Sequence, residues 1–325
     1  MGVSSYPCQA VWPAYRKESV MAELITSAYD GPQITVDELM SDPTYIPTRI
    51  IEDLDNAFVE DLFFRQAEDN KGVVAFREAA GNYLGDDAEE IAEYGEIPVS
   101  APELGNLKAA FGIKTGEAIR VSYEQRNENK IDAVTRAIDA LERTVVRHGI
   151  NAVFGAFTAA DVPELTASAP WTTGDPVKDL FDAIEAVQGA HEDGDTSRLF
   201  DYDPNTLLVH PLALTKLLRN EQIQKLYIGD VAHDNPLYKG MTNVQLFGTI
   251  NVATSRLMPL DQAYVFESQA AGFKSDTMPL TATPLYSEGG DSQIGGPTMS
   301  WRSDLVRKRA IAVDNPKSVV RIKGL

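Results

Sequence analysis

Four histidines, one cysteine and 48 acidic side chains are the groups of this 325-residue chain with chemistry to offer. Their spacing decides whether they could converge. A metal site needs ligands at short, fixed intervals, and His148, His191 and His210 stand far apart. His191 opens the run His-Glu-Asp-Gly-Asp, which has carboxylates but not the spacing of a calcium loop. Carboxylate pairs are so numerous that a glycosidase-like pair could be drawn almost anywhere, which removes the weight of that signal. Cys8 is the only cysteine, so an internal disulfide and a two-cysteine redox motif are excluded. Gly112-Ile113-Lys114-Thr115 lacks the upstream glycine of a phosphate loop and lies in a predicted strand. No GxSxG elbow occurs. The expectation is therefore no catalytic, cofactor-binding or metal-ligating residue and no cofactor.

What these residues are mounted on is more informative. Asn127–Phe157 predicts one long amphipathic helix, with Ile131, Val134, Ile138, Leu141, Val145 and Ala152 on its stripe and His148 interrupting it. Such a strut is longer than an ordinary globular helix. About 125 residues rich in turn formers and acids precede it, without a run that reads as a core of its own. Within them, Tyr15–Tyr29 and Thr35–Met40 predict helices. Pro43 and Pro47 predict extended chain, and Ile51–Phe64 predicts a further apolar segment that needs another surface to lie against. Gly72–Phe76 and Phe111–Ser122 predict the strands of a wide hairpin. Its interior, 81–107, holds Asp86, Asp87, Glu89, Glu90, Glu93, Glu96 and Glu103, a run expected in solvent or on a basic partner.

After the strut, Pro163–Gly174 reads as a linker. Asp175-Pro176 opens a helix with Val177, Leu180, Ile184 and Val187 on one face, ended by Gly189. Thr206–Val209 predicts a buried strand, Pro211–Leu218 a helix, and Val244–Thr254 and Ala263–Glu267 strands, together an α+β unit. The chain then returns to strands at Lys274–Pro284, Met299–Val313 and Val319–Lys323. In the second of these, Val306, Ala310 and Ala312 take one face and most of the basic residues the other. A sheet of early and late strands packed on the strut is the expected fold.

Charge adds an assembly argument. The net charge is −19. Residues 1–125 carry 23 acids and 9 bases, whereas Trp301–Leu325 carries seven bases against Asp304 and Asp314. An acidic front and a basic end favour contact between copies and oppose tight binding of DNA. No apolar stretch approaches the roughly 20 residues that cross a bilayer, and the first ten residues lack the pattern of a signal peptide. Synthesis in the cytoplasm, with no membrane partner, is the expectation.

Arm, acidic hairpin, long helix, α+β unit and strand return, in this order, resemble the major capsid protein of tailed bacteriophages, the Hong Kong 97-type α+β capsid fold. The resemblance covers nearly the whole chain. It is carried by Gly95-Glu96-Ile97-Pro98, the strut, Asn205–Pro211, Pro259–Phe266 and Arg307–Pro316. It implies an N-terminal arm at 1–61, an extended loop at 62–122 and a peripheral domain with the spine helix at 123–173 and 271–325. The axial domain would be 174–270. It further implies self-assembly as pentamers and hexamers into an icosahedral head around packaged double-stranded DNA, located in the virion and assembled in the host cytoplasm. A separate scaffolding protein, a portal and decoration proteins are the implied partners. Lys71, Lys108, Lys114 and Asn315 match no crosslinking motif, so no crosslink is expected. The alternatives are an encapsulin-like nanocompartment shell and a soluble α+β hydrolase. Genome neighbourhood separates the first from a phage head, and a small oligomer with turnover would mark the second.

Overall fold

The computed structural model describes residues 35–37, 44–54, 58–84, 86, 88–102, 104–192, 195–223, 245–246, 250–289 and 294–325. Cys8, the predicted helix Tyr15–Tyr29 and the second half of the one predicted at Thr35–Met40 lie outside these residues; Val36 and Asp37 are helical. In chain order the elements begin with α1 (Tyr45–Leu54), α2 (Glu60–Phe63), β1 (Phe64–Gln66), β2 (Val73–Arg77), β3 (Leu107–Phe111) and β4 (Ile113–Ser122). The central part comprises α3 (Tyr123–Asn127), α4 (Ile131–Ala159), β5 (Glu164–Thr166), α5 (Pro176–Gln188), β6 (His191–Glu192), β7 (Asp195–Leu199), β8 (Thr206–Val209) and α6 (Pro211–Arg219). Then follow β9 (Gln245–Leu246), β10 (Ile250–Thr254), β11 (Gln262–Phe266), β12 (Gly272–Ala282), β13 (Tyr286–Ser287), β14 (Ser300–Ala312) and β15 (Val319–Lys323).

The strut is α4, 29 residues and about 44 Å long at the usual helical rise. It starts four residues later than its apolar period predicts, because the preceding turn has its own helix. The Ser122 side chain accepts from Gln125 N, the Gln125 side chain accepts from Ser122 N, and this capping box starts α3. Asn129, at φ 51, then breaks the run in the left-handed region, which asparagine tolerates, and its Oδ1 accepts from Val36 N at 2.9 Å. The buried stripe of α4 runs Val134, Ile138, Leu141, Gly149, Ile150, Val153, Phe157. Ala152, expected on that stripe, is only half-buried.

Two sheets close on the strut. In the first, β12 pairs with β1 and β14, and β14 with β4 and β13, so early and late sequence interleave as expected. Its inner face meets the first half of α4 through Ile119, Val121 and Leu305, with Ile46, Ile50 and Leu54 of α1 completing the core. Pro47 therefore does not hold the chain extended. It occupies the first turn of α1, where its missing N–H costs no helical hydrogen bond. The expected apolar segment Ile51–Phe64 is divided as well, ending α1 at Leu54 and resuming as α2 and β1.

The second sheet has the order β5-β15-β11-β8-β10-β9. Strand alternation gives it two buried faces. Leu207, Val209, Ala263, Val265, Val320 and Ile322 face α5 and α6, whereas Leu208, Tyr264, Phe266 and Val319 face the second half of α4. β15 thus lies between β5 and β11 rather than in the sheet of β12 and β14. The predicted N-cap holds: Asp175 accepts from Lys178 N at 3.0 Å, with Pro176 first in the helix. Asp179, in the first turn of α5, accepts from Trp171 Nε1 at 3.2 Å and from Ser168 N at 3.2 Å, anchoring the preceding linker.

Candidate assembly surfaces

The extended loop leaves the body at α2, where Glu60 is fully buried. A buried carboxylate must be paired. Its Oε1 accepts from Arg307 Nη2 at 2.7 Å and its Oε2 from Arg309 Nη1. Arg309 also grips Asp276 with two bonds, at 2.6 and 2.9 Å, and Gln66 Nε2 donates to the same carboxylate at 3.3 Å. Lys274 pairs with Asp61. The guanidinium of Arg307 lies 4.7 Å from the ring centre of Phe58. Two arginines from β14 and a lysine from β12 are thus balanced by three carboxylates, Glu60 and Asp61 from α2 and Asp276 from β12, which ties the loop root to the sheet.

Two consequences are measurable. Gly149 of α4 faces this cluster, and a Cβ built there would come within 2.7 Å of Glu60 Oε1. Gly149→Val is expected to destabilise the subunit by about 1–3 kcal/mol through overpacking, read as a lower urea midpoint, with Gly155→Ala as the tolerated control because nothing lies within 4 Å there. The second consequence concerns acid. Burial alone would raise the Asp276 carboxyl, but the hydrogen bonds and charge of Arg309 outweigh it and hold the group below its ordinary value of 3.8. A depressed folded pKa stabilises above the unfolded value and is lost as pH falls through the folded one. Unfolding measured at pH 7, 4 and 3 should show wild type weakening at the acid end, and Asp276→Asn should flatten that part of the profile.

From this root a two-stranded ribbon projects. β2 pairs with β3 in the register Val73↔Phe111, Ala75↔Ala109, Arg77↔Leu107. These pairs share one face, which is exposed: Val73 at 56%, Leu107 at 67% and Phe111 at 67%. Gly112 interrupts the predicted strand, so β3 closes the ribbon while β4 joins the sheet. Beyond the ribbon, the loop is held against β6 and β7 of its own chain. Asn82 Nδ2 donates to Phe200 O at 2.8 Å, and Arg198 Nη1 to Leu84 O at 3.1 Å. The tip stands free in solvent, with Glu89, Glu90, Glu93 and Glu96 exposed beside Tyr94 at 98% and Val99 at 96%. Tyr94 is also held at φ 65, a strained conformation for an aromatic residue.

An open groove of about 420 Å³ lies between the neck of the loop and the strut, lined by Phe111, Ile113, Ala152, Gly155, Ala156 and Ala159 among others. This explains the half-burial of Ala152: its neighbours leave it uncovered within one subunit. An apolar ribbon, an apolar acidic tip and an apolar groove on one chain are surfaces that require other molecules.

Among the described residues, those with potential chemistry do not converge. His148 is exposed, and His210 Nδ1 accepts from Leu212 N at 3.0 Å as the cap of α6. Lys108 pairs with Glu78, and Asn315 Nδ2 donates to Ala270 O at 2.9 Å. Among the described residues no group of three His, Cys, Asp or Glu could hold a metal ion. The sequence reading missed the Glu60 cluster. The signal available was two arginines at 307 and 309, whose strand alternation sends them to one face. That face is the one turned to the strut.

Comparison with known proteins is consistent in direction. The sequence model of a family described as "Phage capsid protein" matches residues 108–322. A chain from Gordonia phage Cozz superposes with a TM-score of 0.55 at 13% identity, covering 84% of this chain and 86% of that one. The capsid structure of the cyanophage P-SCSP1u gives 0.53 at 12% identity, with 82% and 87% covered. The virus-like particle from Pyrococcus furiosus gives 0.53 at 11% identity, with 86% and 99% covered. No curated protein sequence matches the chain. With a family match over most of its length and a fold shared with these structures, the chain belongs to the phage capsid protein family, as a major capsid protein with the Hong Kong 97-type α+β fold.

Proposed function

We propose that copies of this chain assemble as pentamers and hexamers into an icosahedral head that encloses packaged double-stranded DNA. The observation that carries this reading is the extended loop, which exposes large apolar groups on its ribbon and its tip while its root is locked into the core through Glu60. A solvated loop with such a surface is unfavourable in a free subunit and is satisfied on a neighbour. Many modest contacts of this kind give a closed shell strength through multivalency.

In this reading residues 1–61 are the arm, 62–122 the extended loop, 123–173 with 271–325 the peripheral domain, and 174–270 the axial domain. β5 and β15, from the peripheral segments, pair with each other and form one edge of the axial sheet. The net charge of −19 suits a wall that must release its contents, so DNA is enclosed without tight specific binding. The role is structural, without catalysis, and a separate scaffolding protein and a portal are its helpers during assembly in the host cytoplasm. Negative-stain microscopy of the expressed chain, with and without its scaffold, tests the proposal. Closed spherical particles are the expected result, and a small oligomer of fixed size would refute it. Particles from a genome without neighbouring portal and terminase genes would instead favour the nanocompartment.

A further inference from the structure

Lys114 and Lys308 face each other at the neck of the extended loop, Lys71 precedes the Gly72 that the Lys308 side chain covers, and none of the three forms an ion pair among the described residues. Lys114 and Lys308 are direct register partners across β4 and β14, so both side chains leave the sheet on the same face. Two like charges opposite one another oppose strand pairing. Gly112 N donates to Gly72 O at 2.8 Å, and the Lys308 side chain runs over both glycines. A Cβ at Gly72 would lie 3.3 Å from its Nζ, and one at Gly112 would lie 3.3 Å from its Cε. Lys71, next to Gly72, and Lys114 are exposed, and Lys308 is half-buried. Glu68 and Asp69, close in sequence, form no ion pair with any of the three. In a chain with 48 acids and 29 bases, three uncompensated lysines on one patch are a specific feature.

The complementary surface is on the same polypeptide. Glu89, Glu90, Glu93 and Glu96 of the loop tip are exposed and without ion pairs among the described residues. The tip cannot supply its own neck, because the β2–β3 ribbon and the bonds of Asn82 and Arg198 to the body keep the two apart. We propose that the three-lysine patch at the loop neck receives the acidic loop tip of a second copy, fixing the register in which loops overlap. This rests on the shell reading and adds the address of the contact. Beside these acids, Tyr94, Ile97 and Val99 supply apolar area, so charge selects the register and burial holds it. Duplex DNA is the weaker candidate. Three lysines release few counterions, and the surrounding charge is negative.

The test is a charge swap in the full-length chain, with folding checked by circular dichroism. Lys71→Glu, Lys114→Glu and Lys308→Glu together should abolish closed shells at physiological ionic strength, or raise the subunit concentration they require by about tenfold. Adding Glu89→Lys, Glu90→Lys, Glu93→Lys and Glu96→Lys to that variant should restore them. If the glutamate variant fails to fold, the triple Lys→Gln variant replaces it, and its assembly should lose salt sensitivity relative to wild type. Assembly unchanged in the lysine variants, or unrescued by the swapped tip, overturns the proposal. So does lost retention of duplex DNA on a filter with assembly intact, which would assign the patch to nucleic acid. Absence of shells from wild type itself would instead refute the shell reading.

Discussion

Glu60→Ala is expected to lower the unfolding free energy of the subunit by about 3–5 kcal/mol, because it leaves Arg307 and part of the charge of Arg309 buried without their carboxylate. The size follows from an asymmetry. A paired buried ion contributes little net stability, whereas one stripped of its partner bears its full desolvation cost. Arg307 is 7% exposed and cannot turn to solvent without leaving the Phe58 ring and the face of the strut. Arg309 keeps Asp276, so most of the effect should pass through Arg307. Urea unfolding followed by tryptophan fluorescence gives the magnitude. Arg307→Ala combined with Glu60→Ala should cost less than the sum of the two single changes, which is how a coupled pair behaves. A loss below about 1 kcal/mol for Glu60→Ala would mean that water reaches the cluster, and the locked loop root would no longer be a sound description.

The second large effect is expected at Phe63, fully buried where α2 ends. Its ring lies 4.9 Å from that of Phe157 at 77°, an edge-on contact, and 4.1 Å from that of Phe266, with Tyr264 at 5.9 Å. The strut, β11 and the loop root therefore converge on one side chain. Phe63→Ala removes these ring contacts and opens a cavity, at a cost of about 3–5 kcal/mol. The backbone should loosen as well. Ala271 N donates to Phe63 O at 3.2 Å and Gln269 N to Leu62 O at 2.9 Å, bonds that hold α2 against the start of β12. Faster hydrogen exchange at Gln269 and Ala271 than at the distant Leu217 would report that local opening. Leu260→Ala, at a side chain 51% exposed, should change stability by under about 1 kcal/mol and serves as the control.

The regular elements were legible because their signals are local. Asp175-Pro176 with a stripe at Leu180 and Val187 can hardly be anything but a capped helix, and α5 has those bounds. Thr206–Val209 and Val319–Lys323 coincide with their predicted strands for the same reason. What escaped depends on partners far away in the sequence. Pro47 beside Pro43 points to extended chain, yet a proline in a first helical turn is permitted, and only the core formed with Ile138 and Leu141 shows that Tyr45–Leu54 is a helix. Alternation within β14 puts Arg307 and Arg309 on one face, but that this face turns inward depends on a carboxylate about 250 positions earlier. The family resemblance, resting on the order of elements rather than on any motif, survived these local errors. The shell surfaces were legible only as composition: the sequence marks 81–107 as acidic, while the lysine patch requires the register of β4 with β14.

The central claim is that this subunit is completed by its own copies. Sedimentation velocity of the purified full-length chain, over a hundredfold range of concentration and with its scaffold present, tests it most directly. The expected outcome is subunits or capsomers giving way cooperatively to one population of very large, closed particles above a threshold concentration. A single folded monomer across the whole range would contradict it.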